Sequence, residues 1–356
     1  MILDVRGEIC PYPMLKTVEV LRRLPPGEVL EVYTDHPPAL ETIPTQAARL
    51  GFAWRIEPVR PGEWRILIYR EEAPTLSPVE GTQGASSSST RLISAEQLLQ
   101  RLKDPTLRIL DVRPVLPEAA SGYPFGHVPG AIRLDLEALL APAGPGPEPL
   151  PSLSLLETRL GALGLRREDV VVIVDSDFGP AAGLAAWLLE YLGQASVAIL
   201  EGGWQAWLAL GGPVEWEGRL LPPVRYQARP DPSRLATADW ILQNASRPDL
   251  LLLDVRTRSE YIQGHLPGAL HFPWEGSLDL HPYPRLLRAD LLKARWAALG
   301  IGPEKEIVVY CESGARSAHT YWVLRLLGYP RVRNYKGSWS DWRSRGLPYV
   351  VGETPA

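Results

Sequence analysis

The sequence predicts an α/β protein that contains two tandem copies of one domain, each with a mainly parallel sheet. Short apolar, β-branched runs such as 170–174 (VVVIV) and 307–310 (IVVY) alternate with helical segments, which is typical of parallel α/β sheets. Three further segments recur in the same order, which indicates tandem domains rather than a solenoid. They are LDVR at 110–113 and 253–256, GHxPGA at 126–131 and 264–269, and GxWxxW at 202–207 and 337–342.

Two stretches of biased composition divide the chain. Residues 73–90 consist mainly of Pro, Gly, Ser and Thr and are predicted to be a flexible linker after a small domain at 1–72. A Pro-rich stretch, 220–232, separates the two copies, which we place at 91–222 and 231–351.

The overall composition restricts the possible partners. The 356 residues carry a net charge of −4, and no basic stripe with interleaved aromatic residues suggests a nucleic-acid partner. No apolar run approaches the roughly 18 residues of a membrane helix, and the N-terminus does not resemble a signal peptide. Two cysteines, Cys10 and Cys311, are too few for a disulfide framework, so we expect reduced thiols in a cytoplasmic protein. Neither a metal nor another cofactor is expected.

The loop 311–316 (CESGAR) is the strongest candidate site. It runs from a strand end into a helix, so successive backbone N–H groups and the helix dipole favour an anion there. A thiolate is the reactive form of cysteine, Gly314 lets the loop curl tightly, and Arg316 would add positive charge if it folds inward. Ser313 and Ser317 are candidate hydroxyl donors to the sulfur or the substrate, or helix caps. A buried cysteine and a solvated arginine are the structural alternatives.

These segments resemble the tandem-domain rhodanese family, which includes thiosulfate and mercaptopyruvate sulfurtransferases, over about residues 91–351. The resemblance implies that Cys311 carries sulfur as a persulfide and that the first copy is inactive, because its loop 175–180 (DSDFGP) contains no cysteine. The runs 316–320 (RSAHT) and 332–335 (VRNY) look similar to the thiosulfate-type branch. The first copy is then a packing domain, or a surface that recognises a partner.

Residues 1–70 resemble the TusA/SirA-like sulfur carriers. A Cys-Pro-x-Pro segment, 10–13, follows a predicted strand at 2–5 and opens a predicted helix at 14–24. The resemblance implies a small βαβαββ two-layer sandwich with Cys10 as a persulfide carrier. A buried cysteine in a packing domain is the alternative. Further matching segments are DVRG at 4–7, DHPP at 35–38 and TIP at 42–44.

Asp254 and Arg256 end a predicted strand at the edge of the sheet where ligands bind in open α/β folds. The resemblance implies that Asp254 orders the site and that Arg256 meets an anionic substrate, although an internal ion pair is equally compatible. The predicted site has Cys311, Arg316 and Asp254 as catalytic residues, Cys10 as carrier, and Arg256, Glu312, Ser313, Gly314, Ala315 and Ser317 around the persulfide.

The loop spacing and Glu312 refine the expected reaction. Phosphatases of related fold use Cys-x5-Arg, whereas Cys311 and Arg316 have the shorter Cys-x4-Arg spacing, which suits a sulfur atom better than a phosphate. Phosphatase or arsenate reductase activity is the weaker enzymatic alternative. Glu312 should repel thiosulfate and disfavour the thiolate beside it, so a small-molecule or protein persulfide is also a candidate donor.

The presence of two sulfur-carrying domains in one chain predicts a relay. A flexible tether of 18 residues spans roughly 21–25 Å and gives the Cys10 thiol an effective concentration on the order of mM at Cys311. We therefore expect Cys311 to take sulfur from thiosulfate or another donor, and Cys10 to receive it and pass it to a thiol or protein acceptor. The alternatives are a 3-mercaptopyruvate sulfurtransferase and a non-catalytic sulfur-binding scaffold or sensor.

Overall fold

The computed structural model of the protein describes residues 1–8, 12–21, 23–25, 28–36, 39–50, 52–60, 63–69, 90–113, 126–141, 150–176, 178–280 and 283–353. Cys10 and the predicted linker 73–90 lie outside them, except Thr90, which is the first residue of a strand. The chain divides into two compact units, residues 1–85 with 279–285, and residues 86–278 with 286–356. No helix in the described ranges is long and apolar enough to cross a membrane.

The N-terminal unit has the predicted βαβαββ order. Its elements are β1 (Ile2–Asp4), α1 (Tyr12–Leu21), β2 (Leu30–Thr34), α2 (Ala39–Arg49), β3 (Ala53–Arg60) and β4 (Glu63–Tyr69). The sheet order is β1-β2-β4-β3, and only the β1–β2 pair is parallel. The helix predicted at 14–24 ends earlier, at Leu21, because Pro25 disfavours helical backbone at the residue before it.

The second unit contains both tandem copies except residues 279–285, which belong to the first unit. The first copy contains β5 (Thr90–Ile93), α3 (Ala95–Arg101), β6 (Leu107–Asp111), β7 (Ile132–Arg133), α4 (Leu136–Leu140), α5 (Leu153–Ala162), β8 (Val170–Val174), α6 (Pro180–Tyr191), β9 (Ser196–Leu200) and α7 (Gly203–Ala209). The second copy contains β10 (Leu235–Ala236), α8 (Ala238–Asn244), β11 (Leu250–Asp254), α9 (Arg258–Gln263), β12 (Leu270–His271), β13 (Leu278–Asp279), β14 (Arg285–Leu286), α10 (Ala289–Ala298), β15 (Glu306–Tyr310), α11 (Ala315–Leu326), β16 (Val332–Tyr335) and α12 (Ser338–Ser344). Two short 3₁₀ helices are Pro232–Arg234 and Trp274–Ser277.

The two five-stranded sheets have the same topology. Their strand orders are β5-β9-β8-β6-β7 and β10-β16-β15-β11-β12, and the neighbouring strands pair in parallel. This confirms the predicted mainly parallel α/β fold. In the second copy Asp254 pairs with Tyr310, so the ends of β11 and β15 meet at one sheet edge. The residues that follow these two strands, including Cys311, are therefore neighbours.

The two copies pack through helices α6 and α11. Both helices are buried on almost every side, as expected for central rather than surface helices. Gly183 in α6 permits the contact, because a Cβ atom there would lie 2.4 Å from the Cα of His319 in α11. Apolar side chains of both copies consequently form one core.

A buried charge also joins the copies. The carboxylate of Glu190 in α6 is 2% exposed and accepts hydrogen bonds from Arg234 Nη1 at 2.8 Å and from the Tyr321 hydroxyl at 3.3 Å. Arg234 lies just after the predicted boundary stretch, and Tyr321 lies in α11. Removing one partner would leave a buried charge uncompensated, so this network fixes how the two copies meet.

His319 makes the stability of this interface dependent on pH. Its ring contacts those of Phe178 and Trp274 edge-on, with centroids 5.6 and 5.1 Å apart, and burial lowers the pKa of His319 from 6.5 to about 4. Because the unfolded state binds the proton more readily, this stability is present at neutral pH and is lost as the pH falls below 6.5.

We expect the contribution of His319 to the free energy of unfolding to drop by about 2 kcal/mol between pH 7 and pH 5. Urea unfolding of the wild type and of His319→Leu at both pH values measures it. The wild type should lose about 2 kcal/mol more than the variant. An equal loss in both proteins would contradict this role of His319.

Candidate active site

The loop after β15 is shaped by a glycine in a left-handed conformation. Cys311 follows the last residue of the strand, and α11 begins at Ala315. Gly314 has φ +93°, and a Cβ atom there would lie 2.4 Å from the carbonyl oxygen of Lys336. A side chain at Gly314 is therefore excluded both by backbone conformation and by space.

The sulfur of Cys311 lies inside this loop. Cys311 is 1% exposed, and its Sγ accepts a hydrogen bond from the backbone N–H of Gly314 at 3.2 Å. Its own N–H donates to Ser338 Oγ at 3.1 Å, and its carbonyl accepts from Trp339 N at 3.0 Å. The GxWxxW segment thus holds the backbone of Cys311 from the neighbouring strand end.

The first copy has the same loop with a carboxylate in place of the thiol. Asp175 follows β8, as Cys311 follows β15, and its carbonyl accepts from Trp204 N at 2.8 Å. Its Oδ1 accepts from Phe178 N at 2.8 Å, and its Oδ2 accepts from Gly179 N at 2.6 Å. The backbone N–H groups of this loop therefore surround an anion, as predicted for the loop of Cys311.

Phe178 occupies the position of Gly314 and has φ +58°, which is costly for a bulky residue. Its packing against His319 and Trp322 of the second copy stabilises this conformation. Both copies therefore keep the positive φ that turns the loop N–H groups toward one point, an arrangement that we call the nest. Glycine permits this φ in the second copy, and tertiary packing stabilises it in the first.

Lys336 is a residue near the thiol that the sequence did not reveal. It follows β16, and its Nζ donates to the carbonyl oxygen of Ser313 at 2.7 Å. Burial lowers the pKa of Lys336, and the nearby Cys311 opposes that shift. Lys336 therefore supplies a cation to a loop in which the residue after the cysteine is acidic. Only the order of the strands, with β16 beside β15, brings it there.

Arg316 is engaged by a second residue that the sequence analysis missed, Glu260. The guanidinium donates two hydrogen bonds to the Glu260 carboxylate, at 2.8 and 2.7 Å. The hydrogen bonds from Arg316 lower the pKa of Glu260 to about 2, and Glu260 raises that of Arg316. Arg316 is thus half of an ion pair and not an isolated cation. Glu260 also closes a capping box with Thr257, whose T-x-x-E pattern was a usable signal.

Asp254 and Arg256 form an internal ion pair. Arg256 is 1% exposed, and its Nε and Nη2 donate to the Asp254 carboxylate and, through Nη2, to the carbonyl of Gly264. The guanidinium carbon lies 4.6 Å from the Trp339 ring. In the first copy Arg113 makes the same contacts with Asp111, Gly126 and Trp204. Because the copy without a thiol has it too, we attribute the pair to the fold.

The remaining predicted residues lie around the loop in different roles. The Ser317 hydroxyl donates to Asn334 Oδ1 at 2.7 Å and so neither caps α11 nor points its proton at the sulfur, which corrects the expected role. Ser313 is exposed and contributes its carbonyl, and Ala315 is the first residue of α11. Glu312 accepts from Ser340 Oγ at 2.8 Å and lies 3.8 Å from Arg256 Nη1.

A polar cleft of about 250 Å³ adjoins this loop. Its walls include Glu312, the residue after Cys311, and Trp339, whose backbone N–H donates to the carbonyl of Cys311. Arg343 and Tyr349 form another part of the wall. Cys10, the predicted carrier, lies outside the described residues.

Two family models match the chain. A rhodanese-like domain matches residues 94–210 and again 237–345, and the sulfurtransferase TusA family matches residues 1–70.

Curated relatives extend over most of the tandem copies. A thiosulfate sulfurtransferase of Azotobacter vinelandii is 36% identical, covering 70% of this chain and 93% of the relative. A probable 3-mercaptopyruvate sulfurtransferase of Pseudomonas aeruginosa is 37% identical, covering 72% of this chain and 95% of the relative. The sulfur carrier protein TtuD of Thermus thermophilus is 32% identical, covering 74% of this chain and 97% of the relative. A crystal structure of an Escherichia coli 3-mercaptopyruvate sulfotransferase has a TM-score of 0.63 at 28% identity, covering 70% of this chain and 99% of that one.

We predict that Lys336→Met slows alkylation of Cys311 by iodoacetamide at pH 7 about fivefold, because the cation that favours the thiolate is removed. The measurement is peptide mass spectrometry over time in a Cys10→Ser background. The alkylation rate of the Lys336→Arg variant should stay close to that of the parent, because this variant keeps the positive charge. Equal rates in the Met and Arg variants would show that the charge of Lys336 does not act on the sulfur.

Proposed function

The chain is a sulfurtransferase that belongs to the rhodanese family and carries a TusA domain, and from this premise we propose that it relays sulfane sulfur from Cys311 to Cys10. In this proposal residues 231–351 are the catalytic domain and residues 1–72 are the carrier. Residues 91–222 are the copy without a thiol, and 73–90 are the tether.

The observation that carries the proposal is the position of the Asp175 carboxylate in the first copy. In a cysteine persulfide the outer sulfur is two bonds from Cβ, which is also where the carboxylate oxygens of an aspartate lie. Oδ2 of Asp175 accepts from Gly179 N at 2.6 Å, and the corresponding residue in the second copy is Ala315. A persulfide on Cys311 therefore has the length and charge that suit this nest.

The proposed reaction has two transfers. The Cys311 thiolate attacks the sulfane sulfur of the donor, a new S–S bond forms, and sulfite or a thiolate departs with the electron pair of the broken bond. The Cys10 thiolate then attacks the outer sulfur of the Cys311 persulfide, and Cys311 leaves as a thiolate. Each step follows the rules of thiol–disulfide exchange and needs no external oxidant.

The donor is proposed to be thiosulfate or another sulfane-sulfur compound. Glu312 opposes a dianion at the loop, whereas the Lys336 ammonium offsets that charge from the neighbouring strand end. A thiosulfate sulfurtransferase and a probable 3-mercaptopyruvate sulfurtransferase are similarly close relatives. Mercaptopyruvate is therefore the second candidate donor. In that reaction the Cys311 thiolate takes the thiol sulfur, the C–S bond breaks, and its electron pair leaves with the pyruvate enolate, which then takes up a proton. The final acceptor is proposed to be a thiol or a protein in a reducing cytoplasm, where thiols stay available for sulfur transfer.

The relay is tested by locating the sulfur after the full-length protein is treated with thiosulfate, mercaptopyruvate or glutathione persulfide. Peptide mass spectrometry should find one added sulfur on Cys311 and, later, on Cys10. In Cys311→Ser we expect Cys10 loading to fall to the rate of direct reaction with the donor. In Cys10→Ser we expect Cys311 loading and sulfur transfer to cyanide to persist.

Two outcomes contradict the proposal in different ways. If Cys311→Ser loads Cys10 at the wild-type rate, sulfur does not pass through Cys311. If Cys10→Ser abolishes transfer to cyanide, the nucleophile is misassigned.

A further inference from the structure

The cleft beside the Cys311 loop contains two charged side chains whose charges are only weakly compensated by the residues that the structure describes. The other charged residues of its wall are held in strong internal ion pairs. Arg256 is bound to Asp254, and Glu260 is bound to Arg316. Arg343 and Glu312 remain to meet a ligand.

Arg343 lies in α12 and is held by aromatic rings. Its guanidinium carbon lies 4.0 Å from the centroid of the Tyr349 ring and 5.6 Å from that of Trp339. Within the part of the chain that the structure describes, no carboxylate lies within ion-pair distance of it. Ring contacts fix the guanidinium plane while its N–H donors stay available, which suits recognition of a carboxylate.

Glu312 provides the opposite charge in the same cleft. Its side chain is 46% exposed, and its strongest contact is a neutral hydroxyl, that of Ser340 at 2.8 Å. Among the described residues the nearest cation is Arg256, whose Nη1 lies 3.8 Å away and whose Nε and Nη2 already bind Asp254. The carboxylate can therefore accept hydrogen bonds from a ligand ammonium group.

We propose that this cleft binds the zwitterionic amino-acid end of a small thiol of the cysteine class, with the carboxylate on Arg343 and the ammonium on Glu312. The volume fits, since about 250 Å³ is below the roughly 300–1,000 Å³ of pockets for drug-sized ligands. Glu312 directly follows Cys311, and the backbone N–H of Trp339 binds the Cys311 carbonyl, so the cleft adjoins the backbone that carries the sulfur. The inference rests on the proposed Cys311 persulfide and names an acceptor for it.

The transfer is balanced without a co-reactant. The ligand thiolate attacks the outer sulfur of the Cys311 persulfide, the S–S bond to Cys311 breaks, and its electron pair stays on the Cys311 thiolate. The products are the ligand persulfide and the free enzyme. The reverse reaction loads Cys311 from a cysteine persulfide.

The experiment uses the full-length Cys10→Ser protein, loaded at Cys311 and discharged in single turnovers to four small thiols. Cysteine carries both charges, 3-mercaptopropionate only the carboxylate, cysteamine only the ammonium, and 2-mercaptoethanol neither. For each thiol the discharge rate of a variant is divided by that of its parent, which cancels differences in thiol reactivity.

The two variants should give different patterns. Arg343→Met should lower the ratio for cysteine and 3-mercaptopropionate about tenfold relative to 2-mercaptoethanol, the loss expected for one charge-assisted hydrogen bond. Glu312→Gln should lower the ratio for cysteine and cysteamine about tenfold relative to 2-mercaptoethanol. Arg345→Met, directly after the same helix and bound to Asp341, should leave all four ratios equal.

Equal ratios for all four thiols in Arg343→Met and Glu312→Gln would overturn the zwitterion site. Failure of the Cys311 persulfide on which this inference rests is seen separately, because Cys311 would then not load in the parent at all.

Discussion

The backbone N–H groups that converge on one point after a parallel strand are the interaction on which this site depends. They arise because the chain turns from a strand into a helix within a few residues and because one residue adopts positive φ, Gly314 in one copy and Phe178 in the other. Such a concavity favours an anion whichever side chain supplies it. In the first copy the protein itself supplies the anion, the Asp175 carboxylate. In the second copy the thiol of Cys311 takes the corresponding position and accepts the N–H of Gly314.

A comparison of the two copies distinguishes the contacts that maintain the fold from the contacts that occur only around Cys311. The Asp–Arg pair, its contact with the Trp ring and the Trp N–H bond to the loop carbonyl occur in both copies. They hold the sheet edge in register and do not distinguish the loop that contains a thiol from the loop that lacks one. Lys336, the Arg316–Glu260 pair and Arg343, which stacks on aromatic rings, lie around the second loop and give it its particular charge pattern. The first copy contributes mainly through α6, which packs on α11, the helix that begins at the Cys311 loop.

The sequence predicted the tandem parallel α/β fold, the βαβαββ order of the small unit and the loop around Cys311, because each follows from local patterns. It did not predict Lys336 or Arg343, because strand order and helix packing bring them to the loop from distant segments. The partners of Arg316 and Ser317 were missed for the same reason. A sequence shows that an arginine follows the cysteine, but only the tertiary structure shows that Glu260 already binds it.

The central claim is that the nest after β15 holds the outer sulfur of a Cys311 persulfide as the nest after β8 holds Oδ2 of Asp175. A crystal structure of the Cys10→Ser protein loaded with sulfane sulfur tests it most directly. The account predicts an outer sulfur on Cys311 within hydrogen-bond distance of the backbone N–H of Ala315. An outer sulfur that points away from the loop amides, or sulfur bound elsewhere while Cys311 stays a thiol, would contradict it.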